Sequence, residues 1–363
     1  MNTRDILNAH LRPEIGQNVR RKEYSYYDTQ TLATGATEYY FFVTPPGNIF
    51  QRNKKMPLSG SEVFFVEEIS AYIDLNITTT ALANALNELM QQSFLEISID
   101  NRQVCKLPGL DFINFMYGNN LADQVPVTVL QPRLGGKSRK LPLPIIINST
   151  SAFQFKFVTT SAAATAFNTV NMRLSLKGLQ LDKLDSFYWD NLKNNLFQQV
   201  PVTYYDTQVI ASGNQTTYQL FANANRNPVL FSATFPLSDI TTMSIQNIEV
   251  YVNQPDTPIE PTTIYNSRLQ NILQISVDDV VYYNGNLQEC LSMFAGYDQT
   301  LTTTPDLDVV SFLEVRQSKT FKVPLNIPAM GKVVVELIQP ASSLGITGEI
   351  TTVLRGEETR RVA

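Results

Sequence analysis

Histidine, cysteine and tryptophan are nearly missing from this chain: among 363 residues there is one histidine, His10, two cysteines, Cys105 and Cys290, and one tryptophan, Trp189. A nucleophile–histidine–carboxylate triad would have to use His10, which sits in the N-terminal stretch with no partner motif beside it. No Cys/His cluster has zinc-ligand spacing. Two cysteines make no disulfide framework, and buried free thiols are the expectation. Charge is sparse too. Only 17% of residues are charged, and the balance is −5 with a pI near 5.1. A surface built for phosphate would be basic, so no sequence-specific nucleic-acid binding is expected. No apolar run is long enough to span a bilayer. Residues Met1 to Lys22 lack the apolar core of a secretion signal, which points to synthesis and folding in a cytoplasm.

What the chain does have is an internal repeat. Tyr26-Tyr27-Asp28-Thr29-Gln30 returns as Tyr204-Tyr205-Asp206-Thr207-Gln208, 178 residues later. Pro57-Leu58-Ser59 returns as Pro236-Leu237-Ser238, and Ile69 and Tyr72 as Ile248 and Tyr251, all at 179. Leu95 to Asp100 matches Leu273 to Asp278, and Leu176-Lys177-Gly178 matches Leu354-Arg355-Gly356, both at 178. The order is preserved and the offset drifts by about one residue, so one domain of roughly 165 residues has been duplicated. A period this long means two whole domains, not a solenoid.

Each half reads as strands. Leu95, Ile97 and Ile99 alternate with polar neighbours, as do Phe153, Phe155 and Phe157, and Met172, Leu174 and Leu176. About eight such runs per half, divided by turn residues, is the pattern of a jelly roll. The expected fold is all-β: two tandem eight-stranded jelly-roll β-sandwiches related by duplication, with short helices in loops. Ala81 to Gln92 is the best helix, opened by Thr78-Thr79-Thr80; Asp111 to Leu121 and Asn286 to Phe294 are weaker candidates. The parts are an N-terminal arm (1–22), a first jelly roll (23–181), a connector (182–199) and a second jelly roll (200–363). Trp189, in the connector, is the candidate wedge between the domains.

The duplicated sandwich, its length and the repeated Tyr-Tyr-Asp-Thr-Gln segment resemble the double jelly-roll major capsid proteins of the adenovirus–tectivirus lineage, icosahedral viruses and bacteriophages that often enclose a membrane. The resemblance covers almost the whole chain. It implies a structural coat protein of the virion, not an enzyme, that forms homotrimeric, pseudo-hexameric capsomers. Implied partners are neighbouring capsomers, penton and minor capsid proteins, and internal membrane lipid. The alternatives are a minor capsid or vertex protein, or a receptor- or glycan-binding spike.

Two groups of basic residues are candidate contact sites. Arg4, Arg12, Arg20, Arg21 and Lys22 make the arm locally basic, suited to lipid headgroups or a neighbouring subunit. Arg133, Lys137, Arg139 and Lys140 in the first half, with Arg316, Lys319 and Lys322 at the matching place in the second, read as exposed loops that pair with acidic loops of neighbours. Gly135-Gly136-Lys137-Ser138 is not a phosphate loop, because the required earlier glycine is Gln131. Glu67-Glu68, Asp278-Asp279 and Asp306 with Asp308 read as structural or surface carboxylates, with calcium at a subunit contact as the alternative. No other cofactor is expected. Sequons begin at Asn76, Asn148 and Asn214 and matter only in a glycosylating compartment.

Overall fold

The structure is a computed structural model. It describes residues 20–58, 60, 62–77, 80–117, 133–160, 165–182, 199–210, 216–222, 227–232, 235, 237–238, 241–253, 269–300, 308–339 and 348–360.

The first half contains β1 (Arg20–Thr31), β2 (Glu38–Phe41), β3 (Glu62–Ile77), α1 (Thr80–Gln91), β4 (Ser93–Ile99) and β5 (Arg102–Pro108). It continues with β6 (Ile113–Tyr117), β7 (Arg133–Gly136), β8 (Arg139–Ile147), β9 (Phe153–Thr159) and β10 (Asn171–Asp182). One sheet runs β1-β10-β3, with β8 along one stretch of β3 and the β6-β7 hairpin along another. The other runs β2-β9-β4-β5. Without the inserted β6 and β7, the eight strands taken in chain order lie 1-8-3-6 in one sheet and 2-7-4-5 in the other. That is the order of a jelly roll.

The second half repeats it with β11 (Gln199–Ile210), β12 (Thr217–Leu220), β13 (Thr241–Asn253), β14 (Ile272–Val277) and β15 (Val280–Asn286). Then come β16 (Leu291–Thr300), β17 (Asp308–Val315), β18 (Lys319–Ile327), β19 (Val333–Ile338) and β20 (Gly348–Arg360). The sheets are β11-β20-β13, with β18 and β16-β17 beside β13, and β12-β19-β14-β15. The alternating apolar residues face inward as their period requires: Leu95, Phe157 and Leu176 are buried in the first core, and Ile275, Leu337 and Leu354 in the second.

The repeated Tyr-Tyr-Asp-Thr-Gln segment has a local cause. In β1 the buried Asp28 carboxylate accepts the backbone N–H of Phe42 at 2.6 Å, and in β11 Asp206 accepts that of Phe221 at 2.7 Å. Phe42 and Phe221 hold positive φ values of 63° and 59°, an uncommon backbone state for aromatic residues. The carboxylate thus fixes the turn that leaves the short β2 and β12. The glutamine of each segment spans the same gap, donating to its aspartate and to the carbonyl of Tyr40 or Gln219. Asp100-Asn101 and Asp278-Asp279 form matching left-handed hairpin turns, with Asp100 and Asp278 accepting the N–H of Ala152 and Lys332.

Three expectations are corrected. Helices do not form over Asn286–Phe294 or over 111–117, the described part of the stretch expected from Asp111 to Leu121. Each place has a single 3₁₀ turn, Gly109–Asp111 or Leu287–Glu289, followed by β6 or β16. The buried Ile113 and Phe115 alternate with period two, and β6 and β16 pair parallel to β3 and β13, so sheet pairing wins over helix propensity. Arg20, Arg21 and Lys22 belong to β1, opposite Asp182, Leu181 and Gln180, and not to an arm. Asp182 and Gln199 likewise end strands, so neither is connector. Arg4, Arg12 and Trp189 lie outside the described residues.

Candidate assembly interface

The two rolls meet along a seam built from different faces of the same fold. The first roll offers β5, β8, α1 and the Gly109–Asp111 turn. The second offers β11, β13, β20 and the stretch 227–232. The first roll's apolar core continues across the seam into Val200, Tyr205, Val229, Tyr251 and Val353. Lys106 of β5 reaches over, donating to the carbonyls of Pro228 at 2.8 Å and Phe231 at 3.3 Å, with its ammonium 5.4 Å from the Tyr205 ring centre. Burial pushes its pKa down to about 8. The helix α1 closes one end: Tyr251 donates to Asn87 at 2.5 Å, and Gln91 donates to the carbonyl of Glu349 at 3.3 Å.

A buried ion cluster pins this seam. Arg355 of β20 directs Nε at both oxygens of Asp111, at 3.0 and 2.9 Å, and a second nitrogen at Asp111 as well. The same guanidinium reaches Glu249 of β13 at 2.6 Å and Asn247 at 2.8 Å. Lys137 approaches Glu249 at 3.0 Å, Arg316 approaches it at 3.5 Å, and Arg139 approaches Asp111 at 3.8 Å. Burial alone would raise both carboxyl pKa values. Arg355 and the neighbouring cations outweigh it and hold Asp111 and Glu249 below the ordinary carboxylate range. The same carboxylates hold Arg355 above its usual value against burial. A buried pair of this kind adds little net stability over a well-packed apolar contact. Its geometric demand is strict, so it selects one docking register while the apolar seam supplies adhesion.

The expectation of exposed basic loops is corrected for three of these residues. Lys137, Arg139 and Arg316 turn inward to the cluster and do not offer themselves to a neighbour. Lys319 pairs with Glu289 at 2.5 Å. Lys140 and Lys322 remain exposed on β8 and β18, and Arg133 opens β7. Gly136 is glycine for a steric reason: φ is +91°, and an added Cβ would sit 2.2 Å from the Ile113 carbonyl. The sequence did not single out Asp111, Glu249 or Arg355 as a site. The available signal was Arg355 inside the repeated Leu-Lys/Arg-Gly segment.

Both cysteines are buried, and burial pushes both thiols up to about 12. Neither is a nucleophile near neutrality. Among the described residues no group of three or more His, Cys, Asp or Glu is placed to hold a metal ion. No helix is long and apolar enough to cross a membrane among the described residues.

No protein-family model matches the chain, and no curated protein does. Solved structures do. The chain is similar to the MCP of STIV, Sulfolobus turreted icosahedral virus, at 9% identity and a TM-score of 0.39, covering 94% of this chain and 97% of that one. It is similar to PBCV-1 VP54, as fitted into a reconstruction of the virophage Sputnik, at 8% identity and a TM-score of 0.38, covering 94% and 95%. It is also similar to the Faustovirus major capsid protein, at 8% identity and a TM-score of 0.29, covering 99% and 94%.

Proposed function

We infer that this chain is a structural coat protein, the major capsid protein of an icosahedral virion, working by self-association and not by catalysis. The observation that carries the reading is the pinned contact between two copies of one fold. A jelly roll that docks on another through different faces leaves one of each face free at the ends of the pair. Such a heterologous contact propagates until a ring closes. Three copies of a two-roll chain give a closed object of six similar rolls, a threefold tile with nearly sixfold outline that can pave a shell. Neighbouring tiles, penton and minor capsid proteins and internal lipid are the further partners.

Negative-stain imaging of the purified chain tests this. Tiles of hexagonal outline, or sheets of them, are expected. Isolated two-lobed particles at every concentration would instead favour the glycan-binding spike, and a glycan screen would follow.

A further inference from the structure

The outer face of the first roll's larger sheet carries a small polar grid that the second roll does not share. On β3 the buried Ile73 puts its neighbours Tyr72 and Asp74 on the outer face, and on β10 the buried Met172 does the same for Asn171 and Arg173. Register brings them together: Thr29 of β1 stands opposite Arg173, Arg173 opposite Tyr72, and Thr31 opposite Asn171. With Gln51 from the stretch beside β1, these side chains line a cleft of about 220 Å³. That is below the ~300–1,000 Å³ of pockets for drug-sized ligands, so the unit it holds is a single small ring.

The grid is held in place from within the chain. Arg173 donates through Nε to the Thr29 hydroxyl at 3.2 Å and through a second nitrogen to the Phe50 carbonyl, with its guanidinium 5.3 Å from the Tyr27 ring centre. Its other N–H groups are left for a ligand. Thr29 donates to the Gln51 carbonyl at 2.9 Å, which fixes that wall. Thr31 donates to the Asn171 side-chain oxygen at 2.8 Å, so the amide keeps its two donors. Asp74 joins no hydrogen bond or ion pair among the described residues and is exposed. Partial burial and the nearby Asp74 carboxylate push the Tyr72 phenol upward. The second roll fills the same place differently. Thr207 and Thr351, the counterparts of Thr29 and Arg173, are buried and bond to each other at 2.8 Å, and Tyr251, the counterpart of Tyr72, is buried against Asn87 of α1. The charged and amide groups of the first roll are therefore not a requirement of the fold.

We propose that this cleft binds one neutral sugar ring, with Asp74 accepting from adjacent hydroxyls, Arg173 and Asn171 donating to hydroxyl oxygens, and Tyr72 facing the C–H side of the ring. The charge balance selects this class. A free anion meets Asp74 and a free cation meets Arg173, whereas a hydroxyl both donates and accepts and satisfies the two together. The negative face of the Tyr72 ring suits the weakly positive C–H groups of a sugar. The site stands apart from the coat reading: native mass decides that reading, and binding decides this one.

Saturation-transfer difference NMR on the full chain is the test, with the methyl glycosides of glucose, mannose, galactose and N-acetylglucosamine as probes. At least one is expected to take up saturation, strongest on ring C–H protons, with a Kd on the order of 1 mM for so small a ligand. Asp74→Asn and Tyr72→Leu are each expected to weaken it at least about tenfold while melting as the parent does, since a lost bond to a charged group has that weight. Saturation of none of the four, or saturation that survives both substitutions, overturns the proposal. So does ³¹P relaxation showing that inorganic phosphate binds in a manner that Asp74→Asn strengthens, which would make the cleft an anion site.

Discussion

Arg355 and Asp111 stand 244 residues apart in sequence and share a two-pronged ion pair at 2.9–3.0 Å, buried between the two jelly rolls. Replacing Arg355 with alanine leaves Asp111 and Glu249 buried without their main counter-charge. The expected cost is about 3–5 kcal/mol. Urea unfolding would show it as a lower midpoint, with the second roll loosening from the first. An unchanged midpoint would mean that water reaches the cluster.

Acid should act on the same place. Asp111 and Glu249 are held below the range in which an unfolded chain takes up carboxyl protons, around pH 4. Across and below that range the unfolded state binds more protons, so stability rises with pH. The cluster's contribution is complete above about pH 5 and is lost as pH falls toward the folded values. Urea midpoints at pH 7, 5 and 3 should therefore drop chiefly in the last step. Glu249→Gln should flatten that step while lowering the midpoint at pH 7.

The two buried aspartates of the repeated segment should matter equally. Asp206→Ala leaves the Phe221 N–H without its acceptor in a left-handed turn, at an expected cost of about 1–3 kcal/mol. Asp206→Asn keeps an acceptor oxygen and should cost less. Thermal melting of the two variants beside the parent, and of the same pair at Asp28, gives the comparison.

Glycines 178 and 356 offer a check on the duplicated backbone. Each follows the seam cation or its counterpart, and an added Cβ would lie 1.8 Å from the Phe65 carbonyl or 1.9 Å from the Ser244 carbonyl. Gly178→Ala and Gly356→Ala should each destabilise by about 1–3 kcal/mol or more, because backbone and not a side chain must move. Circular dichroism melts would measure both.

Much of the architecture was legible because it is written locally and twice. The alternation in Leu95–Ile99 and Phe153–Phe157 needs only a half-buried strand. The helix expected over Ala81–Gln92 is observed over Thr80–Gln91. Asp28 and Asp206 stood out as a repeat before their turn-fixing role was visible. The segment after β5 was misread because its apolar run, Leu110 to Tyr117, is too short and too continuous to fix a period, and its pairing with β3 comes from far along the chain. The seam was hidden for a related reason. Lys137 and Arg316 show their charge in sequence, but Asp111, Glu249 and Arg355 converge only in three dimensions. A basic loop and a buried counter-ion look the same until the carboxylates arrive.

The most direct test of the central claim is the native mass of the purified chain by sedimentation over a range of concentrations. A species near 122 kDa, three times the 40.8 kDa chain, is the expected result. A single 40.8 kDa species that persists at high concentration would contradict the account.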